Sequence, residues 1–118
     1  MGLHDMLGGN RYLQWKRELI NNGFTVSDQL VSGNHSILFD DIKDQIAFVC
    51  PQFCGLWNYS EVRSVGYDVK ARLFDKVRYE LKMMTSDINS PLGNVFIETT
   101  NPSEPELWVA KILAHCNG

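Results

Sequence analysis

The stretch Lys76-Val77-Arg78-Tyr79-Glu80-Leu81-Lys82-Met83-Met84 decides the fold. Val77, Tyr79, Leu81 and Met83 fall on one side of an extended chain and Arg78, Glu80 and Lys82 on the other. This is the period-two pattern of an antiparallel strand with one face in a core and one in water. Upstream, Glu61 to Lys70 alternates less strictly, with Val65, Tyr67 and Val69 against Gly66 and Asp68. Downstream, Ser86 to Asn94 contains Pro91 and Gly93 and reads as a loop, and Val95 to Thr99 as a further strand.

Further upstream the chain keeps this strand-and-turn rhythm. His35 to Asp40, built on Ile37, Leu38 and Phe39, and Gln45 to Cys50, apolar through Ile46, Ala47, Phe48 and Val49, read as central strands joined by the polar turn Asp40 to Asp44. Pro51 ends the second of them. Phe24 and Val26 alternate with Thr25 and Ser27, so an earlier strand is expected from Phe24 through Leu30 and Val31. It leads into Ser32-Gly33-Asn34, a tight hairpin turn in which Gly33 and Asn34 both tolerate positive φ. Phe53, Leu56 and Trp57 form a short strand bent at Gly55.

Helices flank this β-rich middle. Asn10 is an N-cap for a helix running to about Asn22, with Tyr12, Trp15 and Leu19 on one face, widened by Leu13 and Ile20. Arg11, Gln14, Arg17, Glu18 and Asn21 occupy the opposite face, and Gly23 stops the helix. At the other end Asn101 or Ser103 caps a second helix, with Glu104 or Glu106 three residues on as in a capping box, and Pro102 or Pro105 in its first turn. Trp108, Val109, Ile112, Leu113 and Cys116 make its buried stripe. The expected architecture is a single α+β domain over residues 1–118. An N-terminal helical addition (1–23) and a C-terminal helix (101–118) flank an antiparallel sheet of six or seven strands (24–100), rolled into a partly open barrel that the C-terminal helix closes.

Composition fits that size. With 118 residues, 44% apolar and 21% charged, the chain suits one core, and its formal net charge of −3 is too small for a disordered polyelectrolyte. A mean hydropathy of −0.20 with no long apolar run argues against a membrane span. An acidic pI near 5.5 and scattered basic residues remove the electrostatic footprint of a nucleic-acid binder. His4, Asp5, Gly8, Gly9 and Asn10 break up any export leader, and Met6 departs from the myristoylation pattern that begins at Gly2, so a cytoplasmic protein is expected. Cys50, Cys54 and Cys116 form an odd set, read as reduced and buried thiols. The three-residue gap between the first two is not that of a redox motif or of most zinc knuckles. Asp40, Asp41 and Asp44 lack the spacing of a calcium loop and read as a solvated turn. His35 reads as an exposed strand end and His115 as a favourable donor in the last helical turn.

Leu38-Phe39-Asp40-Asp41 followed by Gln45-Ile46-Ala47-Phe48-Val49, then Asn58-Tyr59-Ser60-Glu61-Val62, the Tyr79-Glu80-Leu81-Lys82 strand and the late Trp108-Val109-Ala110-Lys111-Ile112-Leu113 helix resemble the small bacterial and phage pleckstrin-homology-like domains. The likeness covers roughly residues 35 to 115. It implies two nearly orthogonal antiparallel sheets capped by the C-terminal helix, with the N-terminal helix added to the family core. It further implies scaffolding or binding, with no catalytic residue and no cofactor. Lipid recognition in eukaryotic relatives uses Lys and Arg in the first hairpin. Here that tip is Ser32-Gly33-Asn34-His35, so phosphoinositide binding is not carried over.

The functional expectation is therefore a non-enzymatic module that presents a sheet edge and loops to a protein partner. Lys70, Arg72, Lys76 and Arg78, with Phe74 between them as an apolar anchor, are the nearest thing to a basic patch, and Asp68, Asp75 and Glu80 dilute it. Trp57, beside Gly55 and Asn58 in an irregular strand, is expected to be partly exposed and to touch a partner, since Trp is enriched in binding hot spots, and Tyr59 is assigned to the same contact set. No catalytic or metal-binding residue is assigned. An inhibitor or immunity protein from a mobile element is the second reading. A third, of another class, is a small enzyme or ligand-binding roll, with His115, Tyr79 or Asp68 in a pocket under the C-terminal helix. A homodimer through the first or last strand is also expected to be accessible, because neither edge carries Pro or a dense charge row.

Overall fold

The strand that decides the fold is the middle one of its sheet. The computed structural model describes residues 9–86 and 95–117, and within them Val77–Thr85 pairs on one side with Val62–Arg72 and on the other with Val95–Thr99. In chain order the elements are helix α1 (Gly9–Asn21), strands β1 (Asp28–Ser32), β2 (His35–Asp40), β3 (Gln45–Cys50) and β4 (Phe53–Asn58), and a 3-10 turn (Tyr59–Glu61). Strands β5 (Val62–Arg72), β6 (Val77–Thr85) and β7 (Val95–Thr99) follow, and then helix α2 (Glu104–Asn117). The loop read over Ser86 to Asn94 falls mostly on residues 87–94, and the leader and acylation readings on residues 1–8; both lie outside the described residues.

The seven strands are antiparallel and form two sheets, β1-β2-β3-β4 and β5-β6-β7, which do not close into a barrel. Instead of a shared ladder, side chains bridge one corner. The N–H of Phe96 donates to His35 Nδ1 at 3.4 Å and that of Glu98 to Ser32 Oγ at 3.2 Å, so the outer edge of β7 is held against the β1–β2 turn. The last strand is thus not the unguarded edge expected from its composition: side-chain acceptors occupy two of its outward N–H groups.

Strands β2 and β3 are apolar over Ile37 to Phe39 and Ile46 to Cys50 because both their faces are covered. Ile37, Phe39, Ile46 and Phe48 join Tyr79, Leu81, Met83, Val95 and Ile97 of the second sheet and Trp108 and Ile112 of α2 in the main core. On the opposite face Leu38, Ala47 and Val49 meet Tyr12, Trp15 and Leu19 of α1, with Phe24. The N-terminal helix therefore packs on the outer face of the first sheet. The Tyr12 hydroxyl is hydrogen-bonded to the buried Ser36 hydroxyl, which fixes the register of helix on strand.

Two expectations at this end are corrected. Leu13 and Ile20 do not widen the buried stripe; they stand 49% and 53% exposed, because Tyr12, Trp15 and Leu19 alone span the width of the sheet they cover. Nor does β1 begin at Phe24. Gly23, at φ 100°, ends α1 in a Schellman motif, with the Phe24 N–H donating to Leu19 O (2.9 Å) and the Gly23 N–H to Ile20 O (3.1 Å). Phe24 is drawn under the helix by that motif, and extended pairing starts only at Asp28.

Turns explain the remaining junctions. Gly33 at φ 58° is the one positive-φ residue of the β1–β2 turn, as in a type II′ hairpin, so Asn34 does not need the left-handed conformation expected of it. Between β2 and β3 the buried Asp40 carboxylate accepts the N–H groups of Ile42 (3.0 Å), Lys43 (3.0 Å) and Thr25 (2.9 Å), closing the turn and holding the α1–β1 connection to it. At the start of α2, the glutamates expected in a capping box face elsewhere: Glu104 accepts the Thr99 hydroxyl (3.2 Å) and Glu106 the Tyr67 hydroxyl (3.3 Å).

Candidate functional site

Four residues close the β5–β6 hairpin. Arg72 pairs with Val77, and the Leu73 N–H donates to Lys76 O at 2.8 Å, which leaves Phe74 and Asp75 at the centre of the turn. Central turn positions favour Gly, Pro, Asn, Asp and Ser, whose backbones or short side chains suit the bend and water. Phe74 breaks that rule. Its exposure is 108%, that of a free side chain, and Leu73 beside it is 44% exposed. The tip is an apolar knob that contributes nothing to the core and costs solubility.

Cations flank it. Arg72 and Lys76 have no ion-pair partner among the described residues, whereas Lys70 is engaged by Glu80 at 3.1 Å. Four of the predicted contact residues thus lie along one hairpin, with Phe74 exposed and Arg72 and Lys76 without an ion-pair partner among the described residues. Lys76 also borders an open cleft of about 330 Å³ between this hairpin, β7 and the β1–β2 turn, lined by Ser32, Gly33, Asn34, His35, Arg78, Phe96 and Glu98.

Trp57 and Tyr59 are elsewhere and are not exposed. Trp57 lies in the main core, its ring 5.6 Å from Phe48 and 6.2 Å from Phe53, and Tyr59 is equally buried. The expected partial exposure of Trp57 is corrected for a physical reason. Gly55 is not a bend that turns the indole outward; it is the gap into which the rings of Trp57 and Phe53 fold.

A second polar centre, missed in the sequence, joins α2 to the first sheet. His115 Nδ1 lies 2.8 Å from Asp41 Oδ1 and Nε2 3.0 Å from Asp28 Oδ2, while its ring stacks on Phe39 at 4.1 Å. The Tyr59 hydroxyl donates to Asp41 at 2.7 Å, and Lys111 pairs with Asp28 at 3.0 Å. Hydrogen bonds from Tyr59 and His115 hold the Asp41 carboxyl below its ordinary value. For Asp28, partial burial acts in the opposite direction, but the bonds from His115, Lys111 and the Gln29 N–H outweigh it and the net shift is downward. Burial and the Asp41 carboxylate together raise the Tyr59 phenol. No spacing in the sequence announces this centre, because its members are 74 and 87 residues apart.

The polar groups expected under the C-terminal helix are not brought together. His115 bridges Asp28 and Asp41, Tyr79 packs edge-on to Tyr67, and Asp68 faces Lys82 on the exposed side of the second sheet. Among the described residues no three His, Cys, Asp or Glu side chains gather in a metal-binding group. Cys54 packs under α1 and Cys116 against the main core, on opposite faces of the first sheet, and burial pushes both thiols up to about 11. Protonated thiols of that kind are poor nucleophiles at neutral pH. No described helix is long and apolar enough to cross a membrane.

A scan against protein-family models, a search of curated proteins and a search of solved structures find no match to this chain.

Proposed function

We propose that this chain is a non-enzymatic protein-interaction module of pleckstrin-homology-like architecture, which inserts the tip of its β5–β6 hairpin into an apolar pocket rimmed by carboxylates on a protein partner. The observation that carries this reading is Phe74, a fully exposed aromatic at the centre of a tight turn. A turn that departs from turn chemistry without adding to the core carries a residue that folding does not call for. The unpaired Arg72 and Lys76 supply the matching charge, so the partner's rim is acidic. The architectural part is supported by the division into four and three strands, by the helix after the last strand, and by the way that helix feeds Trp108 and Ile112 between the sheets.

The test begins with a protein retained from lysate by the wild type, identified, purified and titrated calorimetrically against variants. Phe74→Ala is expected to weaken binding by about tenfold to a hundredfold, the range of an aromatic hot spot. Arg72→Glu is expected to slow association and reduce its dependence on salt. Because Phe74 packs against no core residue, both variants should keep the wild-type thermal midpoint. A partner that binds Phe74→Ala as tightly as the wild type, or the absence of any protein retained by the wild type over that variant, overturns the reading.

A further inference from the structure

We infer that the cleft beside the hairpin tip, between the β1–β2 turn, the start of β6 and β7, is a binding site for the phosphate group of a phosphomonoester. This inference does not depend on the protein-interaction reading, since it uses different residues apart from Lys76.

Three features of the cleft converge on an oxyanion. First, Arg78 is pre-organised and under-answered. Its guanidinium lies over the Phe96 ring at 4.2 Å, while its Nε is shielded from water and has no hydrogen-bond partner. The nearest acid, Glu98, is 3.8 Å away, beyond hydrogen-bonding distance. A planar cation immobilised on an aromatic face loses little entropy when it engages an oxyanion through the exposed part of its guanidinium; the Arg78 side chain is 40% exposed. Second, Lys76 stands at the rim as a cation without a carboxylate partner among the described residues, suited to the outer oxygens of a phosphate. Third, the Ser32–His35 turn contributes neutral donors. The two central N–H groups of a two-residue hairpin are not used by its ladder, and those belong to Gly33 and Asn34. His35 Nδ1 accepts the Phe96 N–H, so in the neutral ring the proton sits on Nε2 and that nitrogen donates. Burial, with the nearby Arg78 charge, favours that neutral ring.

Glu98 is the one carboxylate lining the cleft among the described residues. It half-neutralises Arg78 in the empty state and would repel an arriving phosphate, which gives the proposal a sign that a purely structural role for these residues lacks. Removing a cation must weaken phosphate binding, and removing Glu98 must strengthen it.

The experiment is a titration of the 15N-labelled full chain with sodium phosphate, followed by amide chemical shifts, against sodium chloride at matched ionic strength. Saturable shifts are expected at Gly33, Asn34, Lys76 and Arg78 with phosphate only. Lys76→Gln should weaken the affinity, and Glu98→Gln tighten it, by about twofold to fivefold each, the size of one exposed charge interaction. Arg78→Gln should abolish saturation. If that variant loses its fold along with its contact to Phe96, the opposed effects of Lys76→Gln and Glu98→Gln carry the test alone. Two further arms separate the sources of the phosphate. Glycerol phosphate that reproduces the shifts, with no retention on phosphatidic acid vesicles, supports a small soluble ligand. Retention on those vesicles but not on phosphatidylcholine, reversed by inorganic phosphate, supports the same site with a lipid headgroup in it. Shifts that are linear or reproduced by chloride, or an affinity unmoved or weakened in Glu98→Gln, overturn the proposal.

Discussion

Gly55 shows how one missing side chain shapes the core around it. A Cβ at that position would lie 2.4 Å from the Trp57 ring and 2.7 Å from the Phe53 ring, well inside van der Waals contact. Trp57 is locked in the main core and cannot swing aside, so Gly55→Ala is expected to destabilise the fold by about 1 to 3 kcal/mol, the usual cost of overpacking. Urea denaturation measures it, and an unchanged midpoint would show that the rings relax freely. Asp40 is a second residue on which local structure depends. Its fully buried carboxylate serves the N–H groups of Thr25, Ile42 and Lys43. Asp40→Ala leaves these donors to find water and should cost about 1 to 3 kcal/mol, whereas Asp40→Asn, which keeps one acceptor oxygen, should cost less. Equal losses in the two variants would count against the acceptor role. Phe74 is the opposite case, a large apolar residue whose removal should leave stability within about 0.5 kcal/mol of wild type.

At the scale of elements, what could be read from the sequence follows from how local the determining forces are. The bounds of β2, β3 and β7 match the expected ones because an apolar run or strict alternation coincides there with a turn or Pro51 at the boundary. The β1 boundary was illegible. Phe24 alternates correctly for a strand, yet a long-range demand, the covering of Leu38, Ala47 and Val49, claims it for the helix side. The same holds at the surface. Arg72, Phe74 and Lys76 could be found because they are neighbours on one hairpin, while the Asp28–His115–Asp41 centre is assembled only by folding. Trp57 was misplaced because Gly55 supports either a bend or a close approach, and only the neighbouring rings decide which. The Schellman end of α1 offers a direct test at this scale. Gly23→Ala forces a non-glycine residue to φ near 100°, and should cost about 1 to 2 kcal/mol. The nearby atom that a Cβ would meet is the flexible Lys43 ammonium, which moves away easily, so the cost is conformational rather than steric. Hydrogen exchange should then show the last turn of α1 opening before the strands beneath it. Wild-type protection there would rule out the glycine as the element's stop.

For the molecule as a whole, the consequence of this architecture is its response to acid. Two sheets that share no closing ladder must be held in register by other means. Besides the core, these are the Ser32 and His35 clamps on β7 and the centre by which α2 grips the first sheet. That centre depends on ionised carboxylates. Asp28 and Asp41 titrate in the folded protein below their ordinary value of 3.8, and Asp40 does too, because the N–H groups it accepts outweigh the effect of its burial. A depressed folded value means that, between it and 3.8, the unfolded chain binds more protons than the folded one, so stability rises with pH there. The contribution is complete above the unfolded value and is lost as pH falls through the folded ones. Protonating either aspartate also removes a charge facing His115, so α2 should loosen from the first sheet before the strands separate. Denaturation midpoints followed from about pH 6 down to about pH 2.5 should therefore fall steeply in the wild type and less steeply in Asp41→Asn. A tryptophan signal from Trp108 should move before the loss of strand circular dichroism. The exposed Asp68–Lys82 pair also titrates in this range, and Asp68→Asn, followed under the same conditions, removes its share of the limb. An acid limb identical in wild type and Asp41→Asn, or simultaneous loss of both signals, would mean that α2 is held by Trp108 and Ile112 alone and that the aspartates merely decorate its end.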